Sequence, residues 1–185
     1  MVTINSWLLL VGVLCALTSC DSHEFNVVPI KRYIIPQNGM YPSLPAKATF
    51  WVKRRPFFDV SAIKRGEIVV FYQEKDGKIY DFVWRVIGLP GDQVEIRGTD
   101  VLINGKLLLH EKKQETSEQV IFMEMDGSSK YLVAYDRVPE PARRVDLMVT
   151  VPEANFFLLG DNRDNAYDSR FNGAVAFKYV TGKKF

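Results

Sequence analysis

The stretch Ile68-Val-Val-Phe-Tyr-Gln-Glu-Lys-Asp-Gly-Lys-Ile-Tyr-Asp-Phe-Val-Trp-Arg-Val-Ile-Gly-Leu-Pro-Gly-Asp92 reads as two strands joined by a turn. Residues 68–72 are apolar, β-branched or aromatic, which suits a pleated, half-buried surface. Lys75-Asp-Gly-Lys78 supplies turn residues, and a second apolar and aromatic run over 79–87 stops at Gly88-Leu-Pro-Gly-Asp92. Further along, Val94-Glu-Ile96 and Val101-Leu-Ile103 bracket Arg97-Gly-Thr-Asp100. Asn104-Gly105 follows, a strong hairpin signal because both central residues of such a turn need positive φ. Phe156-Phe-Leu-Leu159 and residues 174–180 predict two late strands. No segment sustains a helical period and no internal repeat is visible. The expectation is an all-β protein, barrel- or sandwich-like, with long connections.

The chain has 185 residues, enough for one domain or for a core with an insert. With 47% apolar and 25% charged residues it can bury a core, and a net charge of +2 excludes a strong electrostatic nucleic-acid binder. Both cysteines, Cys15 and Cys20, lie in the first twenty residues, so the globular part has neither a disulfide framework nor a cysteine metal site. The two histidines, His23 and His110, are too few and too scattered for zinc. No cofactor and no metal are expected.

Residues 1–20 read as a leader. Trp7 to Leu17 is an apolar run of eleven, short of the roughly 20 residues a spanning helix needs and matched to the apolar region of a signal peptide. Leu17-Thr-Ser-Cys20 resembles a bacterial lipobox, which implies that Cys20 becomes the lipidated first residue of the mature chain. In an organism with two membranes, Asp21 directly after it resembles an inner-membrane retention signal. The first six residues carry no Lys or Arg, so a short uncleaved anchor stays open as the alternative. Either reading places the globular part outside the cytoplasm on a membrane surface, as a lipoprotein or an anchored protein. Residues 21–32 read as a tether, 33–109 and 150–185 as the β core. Residues 110–149, charged, poor in turn glycines and containing Pro139 and Pro141, read as an insert or cap, or as a plain surface excursion.

Three segments, in order, resemble the signature boxes of the type I signal peptidases. The first is Pro36-Gln-Asn-Gly-Met-Tyr-Pro-Ser-Leu44, where the family reads Ser-Met-x-Pro-Thr-Leu. The second is Arg65-Gly-Glu-Ile-Val-Val-Phe71 followed by residues 81–92, where the family reads Arg-Gly-Asp-Ile-Val-Val and then Tyr-x-Lys-Arg-x-Ile-Gly-x-Pro-Gly-Asp. The third is Gly160-Asp-Asn-Arg-Asp-Asn-Ala-Tyr-Asp-Ser-Arg-Phe-Asn-Gly173, where the family reads Gly-Asp-Asn-Arg-Asp-Asn-Ser-x-Asp-Ser-Arg-x-x-Gly. The resemblance runs from about Tyr33 to the C-terminus. It implies a signal-peptidase-like β core with an inserted cap region, and signal-peptide-bearing proteins as partners.

That family resembles other serine hydrolases built on a Ser-Lys dyad. A serine hydroxyl is a weak nucleophile at neutral pH and needs an adjacent base. Lysine serves only when burial lowers its pKa. A further hydroxyl orients the lysine, and donors near the nucleophile stabilise the oxyanion. By the resemblance, Gly39 stands at the nucleophile position, Trp84 at the base position and Ala166 at the position of the orienting serine. Gln37 replaces a serine that in some members helps form the oxyanion hole. Glycine has no side chain, indole accepts no proton at neutral pH, and alanine cannot hydrogen-bond. Groups of this kind act as a unit, so loss of one removes most of the rate enhancement. The expectation is a pseudoenzyme that keeps the fold of the peptidase.

The frame of the same boxes is intact: Met40, Pro42, Arg85, Asp161, Asn162, Arg163, Asp164, Asp168, Ser169 and Arg170 match, and an Asp168–Arg170 ion pair beside the site is implied by the resemblance. A purely structural role for these turn and network residues fits them as well. Ser43, at the family's threonine position, is a substitute nucleophile to weigh; Lys47 and Lys53 are substitute bases whose spacing does not place them beside Gly39. Neither His23 nor His110 falls where the eukaryotic-type members carry a histidine base. Asp161, Asp164 and Asp168 do not fit calcium-loop spacing, and interleaved arginines argue against a cation. Residues 47–60 mix Phe50, Trp51, Phe57 and Phe58 with Lys53, Arg54 and Arg55, which suits either a membrane interface or two half-buried strand faces. Three functions follow as expectations. The first is a membrane-tethered factor that binds signal-peptide or pilin-like segments for secretion or assembly. The second is an active endopeptidase with a non-standard nucleophile. The third is a structural protein with a closed groove.

Overall fold

A computed structural model describes residues 30–55, 59–127 and 129–185. Fourteen strands are defined among them: β1 (Ile30–Ile34), β2 (Thr49–Arg54), β3 (Ile68–Lys75), β4 (Lys78–Gly88), β5 (Gln93–Arg97), β6 (Asp100–Ile103), β7 (Lys106–Leu107), β8 (Leu109–Glu115), β9 (Gln119–Asp126), β10 (Ser129–Asp136), β11 (Leu147–Thr150), β12 (Asn155–Leu159), β13 (Val175–Ala176) and β14 (Val180–Lys184). The one α-helix among the described residues, α1 (Ser169–Asn172), is a single turn, and no helix there is long and apolar enough to cross a membrane.

The strands form three sheets. Seven run in the order β1-β2-β14-β3-β4-β12-β13, four in the order β11-β5-β6-β7, and three in the order β10-β9-β8. All neighbouring strands are antiparallel. The expected all-β class is observed. β3 and β4 form the expected hairpin, paired from Ile68–Arg85 to Lys75–Lys78, and Asp76 and Gly77 both take positive φ at its turn. Asn104 and Gly105 do the same between β6 and β7, so the hairpin signal is realised as its backbone chemistry demands.

Alternation along β12 explains how the layers are glued. Phe157 and Leu159 join a core with Ile87, Val94, Ile103, Val133 and Tyr135, between the smaller sheets and the large one. Phe156 and Leu158 face the other way, into a core with Val69, Phe71, Val86 and Val180. A third cluster gathers Ile35, Met40, Leu44, Phe50, Val52 and Val70. Trp84 packs against both the second and the third.

The structure differs from the sequence expectations in three places. β1 starts at Ile30, inside the stretch 21–32 read as a tether. Residues 174–180 are not one strand: β13 covers two residues, 177–179 form a 3-10 turn, and β14 begins at Val180. Phe177 N–H turns away to the Ala154 carbonyl, and the Arg55 guanidinium takes the carbonyls of Phe177, Lys178 and Val180, which ends the ladder. Finally, the charged segment 110–149 holds β9, β10 and most of β8, and its last strand, β11, pairs with β5. The leader, with Cys15, Cys20 and His23, lies outside the described residues, as do Phe57 and Phe58.

Candidate functional site

The loop after β1 carries the first box. Tyr41 N–H donates to Asn38 carbonyl and Leu44 N–H to Met40 carbonyl, which curls the chain back on itself. Met40 and Leu44 sink into the third core and fix the loop, leaving Gly39 buried above them. Pro42 is half-buried at the turn and Gln37 is exposed. Asn162 closes over this loop from the third box: its N–H donates to Gly39 carbonyl at 3.1 Å, and its side-chain amide to Asn38 carbonyl at 3.2 Å.

Gly39, Trp84 and Ala166 converge on one point. A Cβ placed on Gly39 would lie 2.7 Å from two ring atoms of Trp84, so the indole already fills the space a side chain at 39 would use. The next nearest atom is the Asn165 carbonyl oxygen at 3.9 Å. A Cβ on Gly160 would collide with the Ala166 methyl, lie 2.7 Å from Gly39 carbonyl oxygen and 2.9 Å from the Trp84 ring. Gly160 is therefore required by close approach, and around it the three positions meet as hydrogen, indole and methyl. Close packing of this kind leaves no room for an added group without movement.

A shell of ion pairs surrounds that uncharged centre. Arg85 grips Asp161 with two parallel bonds, at 2.7 and 2.6 Å, and also donates to Gly66 carbonyl at 2.6 Å. Its guanidinium lies over the Tyr131 ring, 4.2 Å from the centroid. Asp168 pairs with Arg170 at 2.8 Å, as the resemblance implied, and accepts Gly160 N–H at 2.9 Å. It also caps α1 by accepting Arg170 N–H. The Ser169 hydroxyl accepts Leu158 N–H and pins the helix to β12. Arg170 donates to the Arg163 carbonyl.

The buried pair of Arg163 and Glu124 completes the shell. Nη1 and Nη2 of Arg163 donate to the two carboxylate oxygens of Glu124 at 2.9 and 2.5 Å, and Nη1 also donates to the Tyr135 hydroxyl. His110 Nε2 lies 2.8 Å from the same carboxylate. Burial alone pushes the Glu124 carboxyl up, but the Arg163 charge and the bonds from His110 and Arg163 overcome it and hold it at about 2. The same burial and the Glu124 charge push the Tyr131 hydroxyl well up. Asp164 is taken by Arg144, whose two bonds, at 3.0 and 2.9 Å, tie the third box to the segment after β10.

The substitute reactants are committed elsewhere. Ser43 hydroxyl donates to Leu132 carbonyl at 3.2 Å and accepts from Arg85 Nη2 at 3.1 Å, so it belongs to the Arg85 network. Lys47 and Lys53 are both exposed, with Lys53 on β2. Among the described residues no group of three or more His, Cys, Asp or Glu side chains is placed to hold a metal. Sequence reasoning missed Glu124, His110 and Arg144 as parts of the site. In the structure Asp161, Asp164 and Asp168 are claimed by Arg85, Arg144 and Arg170, and Arg163 takes its carboxylate, Glu124, from outside its box.

Comparison with known proteins identifies the family. A family model described as signal peptidase, peptidase S26, matches residues 4–185. The chain is similar to signal peptidase I of Bacillus caldolyticus, 28% identical over 164 residues, covering 89% of this chain and 82% of that one. It is also similar to signal peptidase I of Leptolyngbya laminosa, 33% identical over 158 residues, covering 82% of this chain but 64% of the other. A crystal structure of a signal peptidase I from Enterococcus faecalis aligns with a TM-score of 0.41 and 28% identity, over 65% of this chain and 94% of that one.

Proposed function

The chain belongs to the signal peptidase S26 family, and on that premise we propose that it grips rather than cuts. It is a catalytically inactive, membrane-tethered relative that binds extended signal-peptide or pilin-like segments for secretion or assembly. The observation that carries this reading is the Trp84 ring lying against Gly39, at the two positions where the family's boxes put base and nucleophile. Serine attack needs a hydroxyl and a proton acceptor in hydrogen-bond reach of one another. Glycine, indole and methyl provide neither.

The backbone around that centre supports binding by strand addition. β12 pairs with β4 only from Arg85 to Gly88, while β3 pairs with β4 along its whole length. Among the described residues, positions 79–84 of β4 therefore have a strand on one side only. An extended segment can take the other side, with main-chain bonds giving affinity and alternate side chains giving selectivity. Trp84 supplies a large apolar surface at the inner end of that edge.

Incubation of the full chain with a preprotein, followed by mass spectrometry, tests the reading. No product is expected, together with measurable binding of the uncut signal peptide. Product that disappears in Ser43→Ala would establish an active peptidase with a non-standard nucleophile instead. Neither product nor binding would leave a structural protein with a closed groove. The triple variant Gly39→Ser/Trp84→Lys/Ala166→Ser is expected to regain some cleavage, because removal of the indole frees the space that a Cβ at 39 requires. A triple variant that folds and stays inert would mean that the groove itself is lost.

A further inference from the structure

We infer that the groove beside the outer half of the β3–β4 hairpin is a side-chain pocket that takes an uncharged aromatic residue of the bound extended segment. The pocket depends on strand addition to β4, as proposed above, but not on whether the site cuts. Residues 80, 82 and 84 alternate along β4, so Tyr80 and Phe82 lie on one face with Trp84. Phe82 and Trp84 both pack against the second core on that face. A strand laid along the free edge 79–84 repeats the alternation, so every second side chain it carries points the same way.

Beyond Trp84 that face opens into the groove. Tyr80 and Phe82 form part of its wall, Tyr72, Ala174, Val175 and Tyr179 line the remainder, and its volume is about 1040 Å³. That is the upper end of the size range of small-ligand sites, roughly 300–1,000 Å³, and ample for one ring. The walls are braced: Phe82 stacks on Phe71 with centroids 5.7 Å apart, and Tyr72 meets Tyr179 edge-on at 5.4 Å. Two rings remain open to solvent, Tyr80 at 45% and Tyr179 at 38% exposure. Ring surfaces held by their neighbours gain most from a further ring, through buried area and through offset or edge-to-face contact. Charge at the rim selects against ions. Exposed Glu74 and Asp76 balance exposed Lys75 and Lys178, so the rim has no net charge to offset the desolvation of an ionic side chain. Tyr80 and Phe82 lie four and two residues from Trp84, roughly 13 and 7 Å along the strand. The aromatic residue therefore stands two to four positions from the one that rests on the indole.

The test uses the full chain and fluorescein-labelled threonine–alanine peptides, long enough to span residues 79–84, whose central residue is phenylalanine, alanine, lysine or glutamate. Fluorescence anisotropy is expected to show the phenylalanine peptide binding about tenfold tighter than the alanine one, with lysine and glutamate no tighter than alanine. Tyr80→Ala is expected to bring the ratio of phenylalanine to alanine affinities close to one. With benzoylphenylalanine at the central position, irradiation is expected to leave adducts on Tyr80, Val175 or Tyr179, mapped by mass spectrometry. Adducts on the other face of β4, at Val83 or at Tyr33 beside it in the third core, would overturn the pocket whether or not the Tyr80 variant folds. A phenylalanine preference that survives Tyr80→Ala would overturn it as well. Equal binding of all four peptides would overturn the pocket and leave strand addition standing. No binding of any of them would overturn strand addition, and the pocket with it.

Discussion

Two regions meet at Gly160 and obey different rules. On one side Gly39, Trp84 and Ala166 form an uncharged, closely packed centre. On the other, Arg85–Asp161, Arg163–Glu124 and Arg170–Asp168 form a buried ionic frame. In the centre, atoms can be exchanged for apolar ones without stranding a charge. In the frame, every group depends on a partner, because a lone buried charge costs far more than a lost contact. The ionic frame that supports the fold is thus built from different atoms than the positions where the family's boxes put base and nucleophile.

Breaking the frame is the most damaging change that comparison predicts. Arg163→Met leaves the Glu124 carboxylate buried with only His110 beside it, and is expected to lower unfolding stability by about 3–5 kcal/mol, read from urea denaturation at neutral pH. The double variant Arg163→Met/Glu124→Met is expected to cost less than that single. A double variant as unstable as the single would mean that the pair is not what couples the frame to β9. Glu124 also gives the frame an acid signature. Its carboxyl lies near 2 in the folded protein against an ordinary value of 4.5, so its contribution is complete above pH 4.5 and is lost as pH falls through 2. Glu124→Gln is expected to flatten the stability profile across that window, and an unchanged acid limb would refute the assignment.

Overfilling the centre comes next. Gly39→Ser alone pushes a side chain into the indole and is expected to cost about 1–3 kcal/mol. In a Trp84→Ala background the same substitution is expected to be nearly neutral, with a coupling of about 1–3 kcal/mol in the double-mutant cycle. Additive costs would show that the two positions are not in contact. The smallest effect belongs to the border between the regions. Ser43→Ala removes one bond to Leu132 carbonyl and one from Arg85, and is expected to cost about 1 kcal/mol without changing peptide binding.

What could be read from sequence divides along the line between local and remote causes. Asn104-Gly105 and Asp76-Gly77 announced their turns because the chemistry of a tight turn is contained in two residues. Gly39, Trp84 and Ala166 were legible by place in their motifs, and the structure brings them together. Glu124 was not, since nothing beside it in β9 marks it as buried; its partner is 39 residues away. β8 was hidden for a related reason: Lys112, Lys113 and Glu115 look like a solvated loop, whereas charge is how an edge strand avoids pairing with strangers. The break at 177–179 depends on Arg55, more than a hundred residues earlier. Along β2 alternation buries Phe50 and Val52 and leaves Trp51 and Lys53 exposed, a division that the mixed composition of residues 47–60 did not reveal.

The position of β14 sets an order of events during biosynthesis. It lies between β2 and β3, bonded to Arg54, Lys53 and Val52 on one side and to Phe71, Val70 and Val69 on the other. Until residues 180–184 have left the ribosome, the large sheet has a slot in its middle and both flanking strands present bare ladders. Closure waits for residues 180–184, so β2 and β3 must stay shielded from self-association until that strand has emerged.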